Sequence, residues 1–431
     1  MIISVDTGNK HMKTENCEFN SGVEILDTLP GDMEEVIEYE GKYYVTTNRR
    51  ISYMEDKIAD ERYFILTLFA IAKELSYREK NEGLLSQNLQ EIELLVGLPP
   101  AHYGKQRKKF REYFYRNGEV IEFAYKGIPY RIVFKEVKVY IQAYAAYCLL
   151  AVKKQLSVVP KVLLIDIGGF TVDYMVLRFG QLEMEYVDSL ENGIIRLYNT
   201  IKAAIRQKYS ILLDEEDIDN IILERGGVYK TELKERVREI AIGYVTELLG
   251  RFRELGIDFN TTQTIFLGGG SILMAEFIQI VWKRYGGEYS VINDTKANAK
   301  GYRLQYQVEK KEERKLSKKN EYRFNLRFDE TDEDHRKVCQ FLNDYCGSRK
   351  KARYIVKAVL AYWKLENKSI ELTSKPQVIS ALPKEQSVPL AVEEENNKED
   401  HFVSIDGDYE ADEAEVSLML KNYQMFNNSE E

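Results

Sequence analysis

The sequence predicts a mixed α/β protein of several domains, and three observations indicate this class. Short apolar strands alternate with helical patterns over the first 300 residues, and three of these strands run directly into glycine-containing turns. The chain of 431 residues is 44% apolar, which is enough for about two to four domains with buried cores. Near Gly301 the composition becomes highly charged, so we expect the α/β part to end close to that residue.

The composition argues against several classes of protein. The chain has four cysteines, none in C-x-x-C spacing, and four histidines, which argues against a disulfide scaffold and a zinc site. Free thiols fit a reducing compartment, so we expect a cytoplasmic protein. The N-terminus has no basic and apolar leader, and the longest nearly apolar stretch, Val139–Val152, is too short to span a bilayer. We therefore expect no signal peptide and no membrane partner.

The first half of the chain predicts strands and two longer helices. Ile2–Asp6 is an apolar run that ends at a glycine-containing turn, as is typical of a buried strand. Residues 61–77 and 138–153 have helical length and apolar faces, so both are predicted to be helices. Further strands are predicted at Val36–Tyr39, Lys42–Thr46 and Glu91–Gly97.

The second half repeats this pattern after Pro160. Lys161–Ile167 is an apolar run that meets two glycines, and Thr264–Leu267 meets three. Val172–Arg178 and Gln181–Val187 predict a hairpin that turns at Gly180. Helices are predicted at residues 193–208, 232–255 and 271–285.

Three strand-to-glycine junctions are the candidate chemical site. They read V-D-T-G-N-K-H-M-K at residues 5–13, L-I-D-I-G-G-F-T-V-D at 164–173 and I-F-L-G-G-G-S at 265–271. Glycines let backbone N–H groups approach an anion, so each junction is a candidate phosphate loop. Asp6 and Asp166 precede their glycines at strand ends, and two such carboxylates across a cleft would hold a hydrated Mg²⁺.

In this order and spacing, the junctions resemble the phosphate-1, phosphate-2 and adenosine motifs of the actin/Hsp70/sugar-kinase ATPase superfamily. The resemblance covers residues 1–305, and the sequence has no G-x-x-x-x-G-K-[ST] pattern of a P-loop enzyme. It implies an actin/Hsp70-like two-domain ATPase fold with a nucleotide cleft, with domain I at 1–160 and domain II at 161–305. Within the superfamily, the chain most resembles the plasmid-segregation actins of the ParM/StbA family.

The resemblance also implies roles for single residues. D-T-G-N-K-H-M-K matches the D-x-G-x-x-x-x-K of actin, so Lys13 is expected to reach the nucleotide phosphates, with Lys10 as the alternative. I-Q-A-Y-A-A-Y at 141–147 resembles the connecting helix of actin, whose glutamine orients the attacking water. Gln142 is therefore the candidate for that role, and a nearby carboxylate is the alternative because plasmid actins often place a glutamate there. Asp173 is expected to brace the second loop.

The implied catalytic set is Gln142, Asp166 and Asp6, and the two aspartates would hold Mg²⁺ through water. The implied cofactors are Mg²⁺ and ATP, with GTP as the alternative. E-N-G-I-I-R-L at 191–197 resembles a turn near the metal, and T-K-A-N-A-K-G-Y at 295–302 resembles the helix that closes the ATPase body. The expected nucleotide-binding residues are Thr7, Gly8, Asn9, Lys10, Lys13, Gly168, Gly169, Phe170, Thr171, Gly193, Gly268, Gly269, Gly270 and Ser271.

The charges of the last third of the chain separate into two blocks. Residues 300–364 hold 18 Lys and Arg against 10 Asp and Glu, a net charge of +8, whereas residues 365–431 hold 5 against 16, a net charge of −11. Residues 306–320 are almost entirely charged or polar and predict a linker. Residues 366–412 are acidic and poor in large apolar residues, which predicts a disordered tether. The basic segment between them, 321–365, is the candidate for binding nucleic acid.

This basic module predicts one strand and two helices. Residues 322–328 alternate apolar side chains with polar ones, which is a strand pattern. Val338, Phe341, Leu342 and Tyr345 have helical spacing, and a second amphipathic helix follows Ser348. About 45 residues of this kind cannot close a core alone, so we expect two copies to pair.

The module resembles the ribbon-helix-helix fold of the ParR-type centromere-binding adaptors that partner plasmid actins. The resemblance implies that the strand enters the DNA major groove and that the start of the second helix meets phosphates. The implied DNA-binding residues are Arg323, Asn325, Arg327, Ser348, Arg349 and Lys350. The alternative is a structural appendage with a solvated strand face.

The C-terminal residues 413–427 predict an amphipathic docking helix. Val416, Met419, Leu420 and Tyr423 form an apolar stripe after an acidic start. ParR-type adaptors hold the end of an actin filament with such a peptide, so it is expected to dock on the actin-like body of the same or a neighbouring subunit. The alternative is a helix that packs on its own domain.

Together these interpretations predict an ATPase that forms filaments with copies of itself and segregates plasmid DNA through a fused adaptor bound to centromere-like DNA. The first alternative is an actin-like filament protein whose C-terminal module mediates dimerisation or bundling without DNA. A kinase-like metabolic enzyme of the same superfamily is the second alternative.

Overall fold

The computed structural model describes residues 1–31, 35–47, 56–83, 89–154, 159–321, 328–329, 331–345, 351–368 and 402–403. The chain divides into two compact units. The first comprises residues 1–313 with 399–431, and the second comprises residues 314–398. Among the described residues, no helix is both long and apolar enough to cross a membrane.

The first unit begins with a mixed sheet, which together with its helices is called lobe I here. Its strands are β1 (Ile2–Thr7), β2 (His11–Lys13), β3 (Glu18–Asn20), β4 (Val23–Leu26), β5 (Val36–Tyr39), β6 (Lys42–Thr46), β7 (Gln90–Leu98), β8 (Val120–Tyr125) and β9 (Ile128–Ile141). Their order is β3-β2-β1-β7-β9-β8-β5-β6-β4, with β1, β7 and β9 mutually parallel. Its helices are α1 (Arg62–Glu82), α2 (Pro100–Tyr115) and α3 (Tyr144–Lys154).

A second sheet forms lobe II of the same unit. Its strands are β10 (Lys161–Ile167), β11 (Val172–Arg178), β12 (Gln181–Leu190), β13 (Gln263–Leu267), β14 (Tyr289–Ile292) and β15 (Phe402–Val403), in the order β12-β11-β10-β13-β14-β15. Its helices are α4 (Ile194–Tyr209), α5 (Glu215–Ile222), α6 (Thr231–Glu254), α7 (Gly269–Leu273) and α8 (Ala275–Trp282). The predicted hairpin at Gly180 is confirmed by the antiparallel pairing of β11 with β12.

The two lobes present the same strand arrangement at the junctions. β1 and β10 each turn into an antiparallel partner, β2 and β11, and each has a parallel neighbour on its other side. The register places Asp6 opposite Lys13 in lobe I and Asp166 opposite Asp173 in lobe II. Equivalent positions opposite the two strand-end aspartates therefore carry opposite charges.

The apolar run of β10 is explained by burial on both faces of its sheet. Leu163, Ile165 and Ile167 belong to the core formed with α4, α6 and α8, whereas Val162 and Leu164 belong to the core shared with lobe I. A strand covered on both faces has no solvent-facing positions, so its sequence is continuously apolar rather than alternating.

Helix α9 (Ala297–Glu321) returns to lobe I, although the sequence interpretation assigned residues 297–305 to domain II. Its Tyr302 ring stacks on Tyr140 of β9 with centroids 5.7 Å apart, and Lys310 pairs with Glu136 at 3.0 Å. The segment 306–320, predicted as a linker, is part of this helix. Its lysines, glutamates and leucine are good helix formers, and it contains no glycine or proline.

Most predicted elements of the body are confirmed within one to three residues, but α1 runs five residues beyond its predicted end, the predicted helix at 271–285 is two helices, and the start of α3 is wrong. The predicted helix at 138–153 starts too early, because β9 continues to Ile141 and α3 begins only at Tyr144. The sequence Val137–Ile141 is apolar at most positions and fits a buried strand as well as a buried helix, so periodicity could not separate them. Helices α2 and α5 and strands β2, β3, β4, β8 and β14 were missed, as was most of β9.

The second unit contains α10 (Glu333–Tyr345) and α11 (Lys351–Lys368), which confirms the two predicted helices. Phe341 and Tyr354 pack their rings together, with centroids 5.2 Å apart. Residues 322–327, which hold most of the predicted strand, lie outside the described residues. The predicted tether at 366–412 contains the end of α11 and strand β15, and its other residues are not described.

Candidate functional site

A cavity of about 610 Å³ opens between the strand-end loops of the two lobes. All three glycine junctions contribute to its wall, although the first ends at residue 13 and the last begins at residue 265. The predicted residues that line it are Asp6, Gly8, Asn9, Lys10, Lys13, Gln142, Asp166, Gly168, Gly169, Thr171, Gly268, Gly269 and Gly270. Because all three junctions meet here, this cavity is the candidate functional site.

Four predicted binding residues do not line the cavity and instead support the loops. The Thr7 hydroxyl donates to the Gly97 carbonyl at 3.3 Å, and the Ser271 hydroxyl donates to the Leu267 carbonyl at 2.5 Å. The Gly193 N–H donates to the Phe170 carbonyl, and a side chain on Gly193 would overlap the backbone of the second loop. Phe170 packs against the core of lobe II.

Gln142 lies beside the first strand-end aspartate. Its Nε2 donates to Asp6 Oδ1 at 2.8 Å, and the side chain is buried. It occupies the turn between β9 and α3, where the next residue, Ala143, has a left-handed backbone with φ of 63°. The Oδ1 of Asn298 accepts a hydrogen bond from Ala143 N at 2.9 Å, which holds this turn.

Asn298, in the first turn of α9, connects the two lobes at their carboxylates. Its Nδ2 lies 3.5 Å from Asp6 Oδ2, and its side chain also bonds to Asp166. The segment T-K-A-N-A-K-G-Y carried a family resemblance, but it gave no reason to select this asparagine. The role becomes visible only because α9 brings residue 298 next to residues 6 and 166.

Asp166 is a buried carboxylate in a negative environment. Its pKa is raised to about 7, first by burial and then by the neighbouring carboxylates of Asp173 and Asp6, whereas the charge of Lys13 lowers it. Gly268 lies against this carboxylate with φ of 85°, so any side chain there would be strained and would overlap Asp166. The third junction therefore needs glycine at this position.

Asp173 has the bracing contacts that were expected of it, and it also reaches the cavity. Its Oδ1 accepts from the Ser189 hydroxyl at 2.5 Å, and its Oδ2 accepts from the Thr171 hydroxyl at 3.5 Å. Burial raises the pKa of Asp173, while the Ser189 bond and the charge of Lys57 oppose this shift. Because Asp173 also lines the cavity, it adds a third buried carboxylate to the site.

The two candidate phosphate lysines differ in their contacts. Lys13 lies opposite Asp6 in the sheet register, and its charge acts on Asp166. Lys10 instead donates from Nζ to the Tyr198 hydroxyl of α4 at 3.0 Å, and that hydroxyl donates to Asp219 of α5 at 2.5 Å. Lys13 is thus at the aspartate end of the cavity, and Lys10 is at the end formed by α4 and α5.

Sequence reasoning missed Lys57 and the polar residues of lobe II. Lys57 is buried in the cavity wall, and burial lowers its pKa to about 8 against the opposing charges of Asp6 and Asp173. Tyr198, Asp219 and Arg225 line the other end. None of the quoted motifs contains these residues, and their positions in the sequence gave no signal that selected them.

The donor set fits a hydrated divalent cation rather than one ligated by many side chains. Within the described residues, no group of three or more His, Cys, Asp and Glu side chains is arranged to ligate a metal directly. Asp6 and Asp166 are nevertheless buried carboxylates that face one cavity, and Mg²⁺ usually keeps several waters and takes few protein carboxylates. These two residues are therefore the ones that would hold Mg²⁺.

The predicted DNA-binding residues cannot be located in the same way. Arg323, Asn325, Arg327, Ser348, Arg349 and Lys350 all lie outside the described residues, as does the predicted docking helix at 413–427. Their roles stay predictions.

Two family models match the chain along its body. Residues 4–144 match the actin-like proteins N-terminal domain, and residues 164–279 match the archaeal actin homologue MreB-like C-terminal domain. The gap between the matches, residues 145–163, contains most of α3 and the start of β10, where lobe I passes into lobe II. No curated protein matches the chain.

Solved structures share the fold at low sequence identity. The archaeal actin homologue Ta0583 in complex with ADP is 16% identical, with 70% of this chain and 98% of that chain covered and a TM-score of 0.54. The apo psk41 ParM protein is 16% identical, with 72% and 98% covered and a TM-score of 0.54. The Alp12 filament structure is 16% identical, with 70% and 97% covered and a TM-score of 0.50.

The family matches and the shared fold agree with the arrangement of the body, in which two equivalent strand-and-loop units enclose one cavity. The chain therefore has an actin-like fold, shared with the archaeal and plasmid actin homologues, and its two halves resemble the domains of actin-like proteins.

Proposed function

We propose that this protein is a Mg²⁺-dependent ATPase that forms filaments in response to nucleotide and segregates plasmid DNA through its own C-terminal adaptor. One observation carries the enzymatic part. Asp6 and Asp166 reach the same cavity from different lobes, and Asn298 bonds to both. Such an arrangement suits a nucleotide phosphate chain bound between the lobes, and a solved structure of the same fold contains ADP.

The proposed reaction is in-line attack of water on the terminal phosphate of ATP. The water oxygen forms the new P–O bond while the bond to the bridging oxygen breaks, which releases ADP and inorganic phosphate. Gln142 donates through its N–H to Asp6, so its amide oxygen remains to accept an O–H of the attacking water. Bound Mg²⁺ would neutralise negative charge on the phosphates.

Filament formation would follow from the position of the cavity between the lobes. A nucleotide that contacts both lobes can change the angle between them, and the angle changes the surfaces that meet in a polymer. The Alp12 filament structure has the same fold, which supports this part of the proposal.

The DNA-binding part rests on charge and on the two helices of the second unit. Residues 300–364 carry a net charge of +8, and α10 and α11 follow the predicted strand as a ribbon-helix-helix module requires. The full chain should bind a selected DNA fragment, and Arg323→Ala with Arg327→Ala should relax that selection while ATPase activity stays unchanged. Unchanged selective binding by the double variant would contradict the adaptor assignment.

A second candidate function is bundling of filaments by the same module. A groove of about 580 Å³ lies between α10 and α11, lined by apolar residues that include Val338 and Val359. Val359 is 60% exposed and Tyr362 is 65% exposed, and such a surface favours association with another copy. Association without any DNA selection would favour this candidate.

The first experiment is sedimentation of the full-length protein with Mg-ATP or Mg-ADP and a mixture of DNA fragments. Pelleting with ATP alone, with selected fragments in the pellet, supports the proposed function. Pelleting that carries no selected fragment favours bundling. Failure to pellet with either nucleotide would contradict the filament assignment.

The docking of the tail on the body is also supported by one contact. Phe402 and Val403 form β15, which pairs in parallel with Val291 and Ile292 of β14. A part of the acidic tail thus adds a strand to lobe II, and we propose that the amphipathic segment at 413–427 docks on the body nearby or on a neighbouring subunit.

A further inference from the structure

Lys57 is a buried cation in the cavity wall that belongs to no glycine junction. Its side chain is 4% exposed, and it lines the cavity together with the loop residues. It comes from the short segment at 56–61 that precedes α1. A lysine is rarely this buried unless opposite charges or hydrogen-bond acceptors compensate it.

The first loop holds the Lys57 ammonium in place. Nζ donates to the carbonyl oxygen of Thr7 at 2.5 Å, where β1 ends, and it lies 5.3 Å from the centre of the Tyr63 ring. The Tyr63 hydroxyl donates to Asn9 Oδ1 of the same loop, also at 2.5 Å. Residues 57 and 63 therefore support the loop that carries Gly8 and Asn9.

The charges around Lys57 identify its end of the cavity. Its ammonium acts on Asp6 of lobe I and on Asp173 of lobe II, so it lies near buried carboxylates of both lobes. Lys13 lies opposite Asp6 in the register of its hairpin, whereas the position opposite Asp166 holds a second carboxylate, Asp173. Lys57 supplies a positive charge that the hairpin of lobe II lacks.

The opposite end of the cavity has a different chemistry. Tyr198 offers an aromatic ring there, and Asp219 and Lys10 are joined through its hydroxyl. A nucleoside suits this end, because a ring and hydrogen-bonding groups can contact a base and a sugar. The phosphates would then extend towards Asp6, and the third phosphate would lie deepest among the strand ends.

We propose that Lys57 binds the terminal phosphate of a nucleoside triphosphate and makes the site distinguish triphosphate from diphosphate. The proposal rests on the proposed nucleotide site and adds a specificity residue to it. An ammonium has three N–H donors, and among the described residues Thr7 is the hydrogen-bond acceptor that takes one of them. The remaining donors are available to phosphate oxygens that a diphosphate does not have.

The test compares two ligands in the full chain. Calorimetric titration with Mg-ADP and with a non-hydrolysable Mg-ATP analogue would be run on the wild type, on Lys57→Met and on Lys10→Met. Because a hydrogen bond to a charged group is lost, Lys57→Met should lower the affinity for the ATP analogue about 10- to 100-fold, whereas the affinity for ADP should change less than about threefold. Lys10→Met, the matched change at the other end, should weaken both ligands by a similar factor.

The outcomes separate this proposal from the proposed function. Equal losses for both ligands, or no loss, in Lys57→Met would overturn the assignment of Lys57. A wild type that binds neither ligand would instead overturn the nucleotide site itself. Lys57→Gln provides a second variant, because it removes the charge but can still donate a hydrogen bond to Thr7. Lys57→Gln should lose the preference for triphosphate in the same way as Lys57→Met. Thermal melts show which variants are folded.

Discussion

The side-chain amide of Gln142 donates a hydrogen bond of 2.8 Å to the carboxylate of Asp6, although the two residues are 136 positions apart in the chain. The bond fixes the amide at the end of β1, next to the first glycine junction. It also determines which end of the amide is free, because the N–H faces Asp6 and the oxygen is left as an acceptor.

Gln142→Ala should therefore lower kcat for ATP hydrolysis by about 100-fold, since positioning of the attacking group typically contributes that much. The KM for ATP should change less than about threefold because Gln142 does not hold the phosphates. Steady-state phosphate release measures both constants. Gln305→Ala is a suitable control, because Gln305 is buried in α9 against Cys148 and does not line the cavity. A normal kcat in Gln142→Ala would show that a nearby carboxylate, and not Gln142, positions the attacking water.

Asp166→Asn should abolish hydrolysis but stabilise the nucleotide-free protein. Burial raises the pKa of Asp166 to about 7, from an ordinary value of 3.8, so the folded state holds a proton that the unfolded state has lost. The free energy of unfolding of the wild type therefore decreases as the pH rises from about 4 to 7. Above pH 7 the buried carboxylate is ionised and its full destabilising effect is present.

The gain from Asp166→Asn should thus be largest near pH 8 and shrink towards pH 4. Its size should be a few degrees in Tm, because about 2–4 °C corresponds to 1 kcal/mol in domains of this size. Scanning calorimetry across this pH range measures it. Asp258→Asn, at an exposed turn, should show no such gain. An equal Tm difference at both ends of the range would contradict the buried-charge explanation.

Asn298→Ala should reduce both stability and turnover. It removes the bonds to Asp6 and Asp166 and the bond that holds the left-handed turn at Ala143. We expect a loss of about 1–3 kcal/mol in the free energy of unfolding, as for a buried group left without its partner. Urea unfolding measures the loss, and phosphate release measures turnover. Asn260→Ala, at an exposed turn, is the control and should leave turnover unchanged. If turnover in Asn298→Ala were also unchanged, the contacts of Asn298 with the two carboxylates would have only a structural role.

Two helical glycines should respond to alanine in opposite directions. Gly301 in α9 has no room for a methyl group, because a Cβ would overlap the carbonyl of Ala145, whereas Gly243 in α6 has open space around it. Gly301→Ala should destabilise the protein by about 1–3 kcal/mol through overpacking. Gly243→Ala should stabilise it by up to about 1 kcal/mol through helix propensity. Urea unfolding of the pair measures both, and a stabilised Gly301→Ala would refute the close approach of α9 to α3.

Replacing both Phe402 and Val403 with proline should expose the edge of lobe II. The change removes two backbone donors and the pairing of β15 with β14. Amide hydrogen exchange of Tyr289–Ile292 should then become faster, and that of β13 should stay the same because β10 and β14 cover both of its edges. Unchanged exchange in β14 would show that the tail does not dock there in solution.

Local sequence was sufficient to select the three junctions, and the resemblance of residues 141–147 to the connecting helix of actin selected Gln142. An apolar run followed by glycines has few structural interpretations, so Asp6, Asp166 and Gly268 could be selected without knowledge of the fold. The amphipathic spacing of α10 and α11 was likewise a local property. Where two local interpretations were equally good, as at residues 138–141, the sequence could not choose between strand and helix.

The rest of the site was decided by tertiary structure. Lys57 and Tyr198 lie in no motif, and the motif around Asn298 gave no reason to select it; all three reach the cavity because separate segments converge on the strand ends. In the same way, Thr7 and Gly193 belong to the motifs but do not line the cavity, because Thr7 bonds to β7 and Gly193 packs against the second loop. Burial and charge at one point in space depend on residues far apart in the chain, and a sequence pattern reports only its neighbours.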